Sequence, residues 1–113
     1  MYYVASELTY PQIVQEFSRA VYDSLGYLPR GRDLVEILEE LAGLGSRTVV
    51  IDEFQYVVEA EPSLPSRLQR SVDGVLGNSR LMLVLCGSAI PFSRRGFLGT
   101  RRLSTGGEPP PLG

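Results

Sequence analysis

"RTVVIDEFQYV", Arg47 to Val57, decides how this chain folds. Thr48, Val49, Val50 and Ile51 are all β-branched, a residue class that suits strands, and they run without alternation into Asp52 and Glu53 and then Phe54. An apolar run with no polar face predicts a strand over 48–52 buried on both sides, the pattern of a central parallel strand. A strand that stops at two adjacent carboxylates is either a boundary between core and solvent or a device that holds charge at a sheet edge.

The same pattern recurs downstream. "RLMLVLCGS" predicts a second doubly buried strand over 81–86, ending at Gly87 and Ser88 much as the first ends at Asp52 and Glu53. Upstream, "YYVA" predicts a short strand over 2–5. Between these runs the apolar spacing is helical. Ile13, Val14, Phe17, Ala20, Val21 and Leu25 form one stripe of a helix over 9–25, with a Thr9/Gln12 capping box, Leu8 and Ile13 placed for a hydrophobic staple, Pro11 in the first turn and Gly26 as the stop. A second helix over 33–44 buries Leu34, Val35, Ile37, Leu38 and Leu41, capped by Asp33 with Glu36 and closed by "GLG". A third over 64–77 uses Leu64, Leu68, Val72, Val75 and Leu76 after the break "EPSLPS", with only a short apolar turn between Phe54 and that break.

Strands separated by helices at this spacing predict an α/β fold with a parallel sheet. Right-handed crossovers then bring the strand ends to one edge, where ligands of open α/β sheets bind. Residues 1–100 read as the domain. Beyond "PFSRRGFLGT" the Gly/Pro-rich stretch 101–113 reads as a disordered tail.

Composition narrows the chemistry. With 113 residues the chain holds one modest core and no second domain. All 11 basic residues are Arg, and with no Lys or His the commonest general base, the usual zinc ligand and every amine-dependent mechanism are absent. The single Cys86 lies in an apolar run and reads as a small core residue. Residues 1–62 carry 4 Arg against 11 acids, and residues 63–113 carry 7 Arg against 2. The arginines of the basic half are scattered with few aromatics between them, which argues for a solvated surface and against nucleic acid. No segment approaches the roughly 18 apolar residues of a membrane span, so no membrane is expected and a cytoplasmic location is.

Asp followed by Glu at the end of a buried strand suits a nucleotide hydrolase. One carboxylate holds the water shell of a Mg²⁺ ion, the next orients or deprotonates the attacking water, and Ser88 on the neighbouring strand faces the transferred phosphate or that water. In the plainer alternative Asp52 caps the turn beginning at Phe54, Glu53 favours its N-terminal dipole and Ser88 satisfies loop backbone.

The strings "YYVASELTYPQIVQEFSRAV", "VVIDEFQYVVEAEPSLPSRLQ" and "LMLVLCGSAI" together resemble the archaeal-type P-loop ATPases, a branch of the AAA-like signal-transducing NTPases. The resemblance spans most of Tyr2 to Ser88. It implies a three-layer fold with sheet order 5-1-4-3-2, in which the strands present here are the second, third and fourth and are neighbours. It implies ATP and Mg²⁺ as ligands, Asp52 as the Walker B ligand of Mg²⁺ through water, Glu53 as the water-activating base and Ser88 as the sensor of the γ-phosphate. "GTRRL", with Arg101 and Arg102, echoes a Gly-Arg segment that follows the sensor strand in the family. The chain departs from the family in having no G-x-x-x-x-G-K-[ST] loop, whose amides and lysine hold the phosphates. The resemblance therefore implies a truncated or split ATPase domain, not competent alone, with "LMLVLC" as an apolar edge open to self-association or to a partner that supplies the missing strand and phosphate loop. The alternative is a non-catalytic interaction module that pairs through the same edge. A phospho-acceptor receiver domain shares the strand-end Asp and Ser but requires a lysine, which excludes it.

Overall fold

A computed structural model describes residues 1–87, and these form an α/β unit around a three-stranded parallel sheet. In chain order the elements are β1 (Tyr2–Val4), α1 (Tyr10–Leu25), α2 (Leu34–Ala42), β2 (Arg47–Asp52), α3 (Gln55–Ala60), α4 (Leu64–Val72) and β3 (Leu81–Leu85). The strands lie in the order β1-β2-β3, so β2 is central.

The helix ends follow their local chemistry. Both halves of the Thr9/Gln12 capping box form, Pro11 sits in the first turn, and Gly26 ends α1 at φ 72°, a left-handed conformation that a Cβ disfavours. Asp33 accepts from the Val35 N–H, but Glu36 accepts from the Arg32 N–H, so this cap is not the reciprocal box that its spacing predicts. The loop between α1 and α2 is held by Glu40, whose carboxylate accepts from the Tyr27 hydroxyl and from the Arg30 and Gly31 N–H groups. The short turn expected after Phe54 is a helix, α3, and α4 ends at Val72 rather than continuing to 77. Leu76 still reaches the core from the turn beyond it.

The largest difference from the sequence reading concerns the sheet faces. Registered partners in a parallel sheet share a face. Tyr3, Ile51 and Leu85 are buried together, as are Val49 and Leu83. Their alternates are not. Tyr2 is 59% exposed, Val4 47% and Met82 60%, with Val50 and Val84 half-buried between them. The apolar runs that predicted burial on both faces thus have one face packed and one open. Both connections step across the sheet in the same direction, and right-handed crossovers that do so stack their helices on one side. Among the described residues the architecture is therefore two-layered. The third layer expected of the fold has no element among them.

One continuous core fills the space between the helices and the packed face. Ile13, Phe17, Val21, Ile37, Leu41, Val49, Ile51, Phe54 and Val57 are fully buried in it, and each such side chain contributes about 1.5–3 kcal/mol through apolar burial. Tyr3 meets Phe17 edge to face, with ring centroids 5.4 Å apart. No described helix is long and apolar enough to cross a membrane.

Candidate functional site

Three parallel strands end on the same edge of the sheet, and backbone hydrogen bonds tie those ends together. The Ala5 N–H donates to the Asp52 carbonyl (3.0 Å), the Cys86 N–H to the Ile51 carbonyl (3.0 Å) and the Phe54 N–H back to the Cys86 carbonyl (2.8 Å). The last bond spans the point where β2 leaves the sheet, so Asp52 and Glu53 lie in a turn stapled to the end of β3. Phe54, fully buried, anchors the far side of that turn in the core.

Within this turn Glu53 has φ 55°, the one non-glycine residue with positive φ among the described residues. The left-handed conformation is disfavoured for an L-residue by about 1–2 kcal/mol, and such conformations persist where the surroundings fix them. Here the fixing contacts are visible. The Glu53 N–H donates to Asp52 Oδ1 (2.8 Å), and Gln55 Nε2 donates to Glu53 Oε1 (2.6 Å). The other amide atom, Gln55 Oε1, is buried without a hydrogen-bond partner.

Asp52 shares the open sheet face with Val4, its registered partner. The Tyr2 hydroxyl, two residues back along β1 on that face, donates to Asp52 Oδ2. Both carboxylate oxygens are thus oriented by one donor each and keep lone pairs for further ligands. The hydrogen bond to Asp52 raises the Tyr2 phenol above its ordinary range, since ionising it would remove the donor. Burial, with the nearby Asp52 charge second, pushes the Cys86 thiol up as well. That thiol is neutral at pH 7, in keeping with a packing role.

The plainer reading of Asp52 as a helix cap is not what the strand end shows. α3 has Phe54 at its N-cap position and no side-chain cap, and Asp52 Oδ1 accepts instead from the adjacent Glu53 N–H. The structure brings Asp52 and Glu53 to one rim. Ser88 lies outside the described residues, as do Arg101, Arg102 and the whole of 101–113; Gly87, just before Ser88, is the last residue described.

Tyr2 and Gln55, the side chains that orient the two acids, were not singled out from the sequence. Gln55 was within reach of the reading, standing two residues after Glu53 at the start of an apolar turn. Tyr2 was not, because its relation to Asp52 exists only through the β1–β2 register.

A second polar cluster lies between α2 and α4. Arg67 meets Asp33 through two parallel bonds of 2.9 Å, the Tyr10 hydroxyl donates to the same carboxylate (2.7 Å), and Ser71 donates to Glu39 (2.6 Å). Burial raises the Asp33 carboxyl, but the bonds from Arg67 and Tyr10 outweigh it and hold Asp33 below its usual range. Asp33, Glu39, Arg67 and Ser71 line an open groove of about 370 Å³, and their mutual pairing marks it as a clamp between helices. Among the described residues no group of three or more His, Cys, Asp or Glu side chains is arranged to hold a metal ion.

No protein-family model matches the chain, and no solved structure matches it. Among curated proteins the chain is similar to the uncharacterized protein MJ0424 of Methanocaldococcus jannaschii. The two are 30% identical over 86 residues, covering 76% of this chain and 74% of that protein.

Proposed function

The chain belongs to the family of the archaeal protein MJ0424, and from the strand-end chemistry alone we propose that it is part of an ATPase domain of the archaeal P-loop type. In this reading Asp52 holds the water shell of Mg²⁺, Glu53 orients or deprotonates the water that attacks the γ-phosphate, and Ser88 senses that phosphate. The observation that carries the proposal is the turn at Asp52–Glu53. Two adjacent carboxylates stand at the carboxyl edge of a parallel sheet, one gripped by Tyr2 and Glu53 N–H, the other held at φ 55° and bound by Gln55.

The donor set fits the metal. Mg²⁺ keeps most of its waters and is held by one or two carboxylates together with substrate phosphates, so a three-ligand protein cage is not required. When bound, Mg²⁺ would neutralise charge on the phosphate oxygens. What this chain supplies is the fixed orientation of Asp52 and Glu53. Its 113 residues hold no lysine and no G-x-x-x-x-G-K-[ST] loop. Without amides and a lysine to hold a triphosphate, the two carboxylates repel the nucleotide's negative charge. Tight nucleotide binding and turnover therefore need a polypeptide that supplies that loop.

Titration of the full chain with Mn²⁺, followed by water-proton relaxation, tests the site without requiring turnover. The expected result is weak binding in the millimolar range, lost in Asp52→Asn. Equal binding by Asp52→Asn refutes the carboxylate assignment. Saturable micromolar binding of Mg·ATP in calorimetry would refute the stated need for a separate phosphate loop.

A second reading, a non-catalytic interaction module, is favoured by the open sheet face carrying Tyr2, Val4 and Met82, a surface a finished α/β domain covers.

A further inference from the structure

We propose that the amino-terminal strand is part of the acidic site: Tyr2 is a positioning residue for Asp52, and pairing of β1 with β2 and binding of a divalent cation at Asp52 strengthen one another. The inference rests on the reading of Asp52 as a ligand of hydrated Mg²⁺, and adds the element that sets its affinity.

The segment from Tyr2 to Ala5 holds Asp52 at two points. The Ala5 N–H donates to the Asp52 main-chain carbonyl at 3.0 Å, and the Tyr2 hydroxyl donates to the side-chain oxygen Oδ2. The other attachments of β1 lie away from the acids. The Val50 N–H donates to the Met1 carbonyl (2.8 Å), the Tyr3 hydroxyl reaches Glu16 on α1 (2.9 Å), and Tyr3 and Ala5 are buried on the packed face. On the open face Tyr2 and Val4 are about half exposed, and the bond from Tyr2 to Asp52 is the one side-chain hydrogen bond that β1 makes there among the described residues.

A phenol has one proton to donate. Tyr2 commits it to Asp52, so its oxygen meets any further partner as an acceptor. Mg²⁺ keeps most of its waters, and those waters are donors. The Tyr2 oxygen therefore suits the water shell of a cation at Asp52, while its O–H fixes the carboxylate that orders that shell. With the Glu53 N–H on Oδ1 at 2.8 Å and Tyr2 on Oδ2, rotation of the carboxylate is set before an ion arrives. Removing a partner of this kind from behind a metal ligand typically weakens the metal by about 10–100-fold. When β1 leaves β2, Asp52 keeps only the Glu53 N–H of these side-chain donors. By linkage, whatever factor β1 adds to cation affinity the cation returns to the pairing of β1.

Two measurements on the full chain read the two sides of this coupling. In Mn²⁺ titration followed by water-proton relaxation, Tyr2→Phe is expected to bind about tenfold more weakly than the wild type, and Asp52→Asn to lose binding. The substituted hydroxyl is on an exposed side chain, so the core is untouched. In hydrogen exchange followed by NMR, Mg²⁺ at about ten times its Kd should slow the wild-type Ala5 amide by about fivefold relative to NaCl of equal ionic strength. The Gly26 amide, which closes α1 on the Tyr22 carbonyl, should not respond, and its retained protection in each variant reports an intact fold. At the same Mg²⁺ concentration the effect on Ala5 should disappear in Tyr2→Phe and in Asp52→Asn. Wild-type affinity for Mn²⁺ in Tyr2→Phe overturns the proposal while leaving Asp52 a ligand. A weakened Tyr2→Phe together with a wild-type Ala5 amide that ignores Mg²⁺ overturns the coupling to the strand. Equal Mn²⁺ binding by Asp52→Asn removes the metal reading itself, and the proposal with it.

Discussion

Replacing Glu53 by glycine and, separately, by alanine isolates the backbone strain at the acidic turn. Both substitutions remove the carboxylate and its bond from Gln55 Nε2, so that loss cancels between them. They differ in whether a Cβ stands at φ 55°. A left-handed conformation costs an L-residue about 1–2 kcal/mol. Against this, glycine surrenders about 0.5–1 kcal/mol more backbone entropy on folding than alanine. The glycine variant should therefore be the more stable of the two by about 0.5–1 kcal/mol. In thermal unfolding followed by circular dichroism that is about 2–6 °C in Tm for a domain of this size. Urea titration should show a higher midpoint for the glycine variant with an unchanged m-value. The sign is diagnostic, because at an ordinary helix or strand position the order reverses and alanine is favoured. An alanine variant as stable as the glycine variant would show that the turn does not hold Glu53 in the left-handed region, and the orientation assigned to the two acids would fall with it.

Asp33→Asn should retain the helix cap, since asparagine caps as well as aspartate, while removing the charge that Arg67 and Tyr10 stabilise. The folded-state carboxyl of Asp33 lies below its unfolded value, so its contribution is present above about pH 4 and is lost as pH falls through the folded pKa. Urea midpoints of the two proteins should therefore differ most at neutral pH and converge below about pH 4; a gap that persists undiminished into acid would show that the effect is not the charge. Phe17→Ala removes a fully buried ring that Tyr3 meets edge to face, and about 3–5 kcal/mol of stability should go with it. A loss under about 1.5 kcal/mol would place Phe17 outside the rigid core.

Much of the architecture could be read from local patterning because local rules and tertiary packing agree. The first helix shows this best. Its capping box, its Pro11 and its Gly26 all do what their spacing dictates, and its buried stripe of Ile13, Val14, Phe17 and Val21 is the one that the helical period marks. The run Thr48–Ile51 identified a parallel strand correctly, yet its lack of alternation suggested two covered faces where the described residues cover one. Apolar composition records that both faces suit burial, and says nothing about which segment does the burying. The helix α3 escaped because six residues are too few to display a helical period. At the strand ends the two acids could be named in advance, since they are adjacent in sequence. Tyr2 could not, because parallel register joins it to Asp52 across 50 positions of chain. The left-handed backbone at Glu53 left no trace in its residue type, since glycine or asparagine would be the usual sign of it.

The shortest strand has a kinetic meaning. Tyr3 pairs with Ile51, 48 positions away, whereas Ile51 pairs with Leu85, 34 positions away, through two short helices. Closing the longer loop loses more chain entropy, and β1 offers only three residues in return. The segment from β2 to β3 is thus the better candidate for early assembly, with the amino-terminal strand docking late onto a template already formed. On that order of events the grip of Tyr2 on Asp52 closes near the end, and local opening at the amino terminus would release it first while the rest of the molecule stays folded.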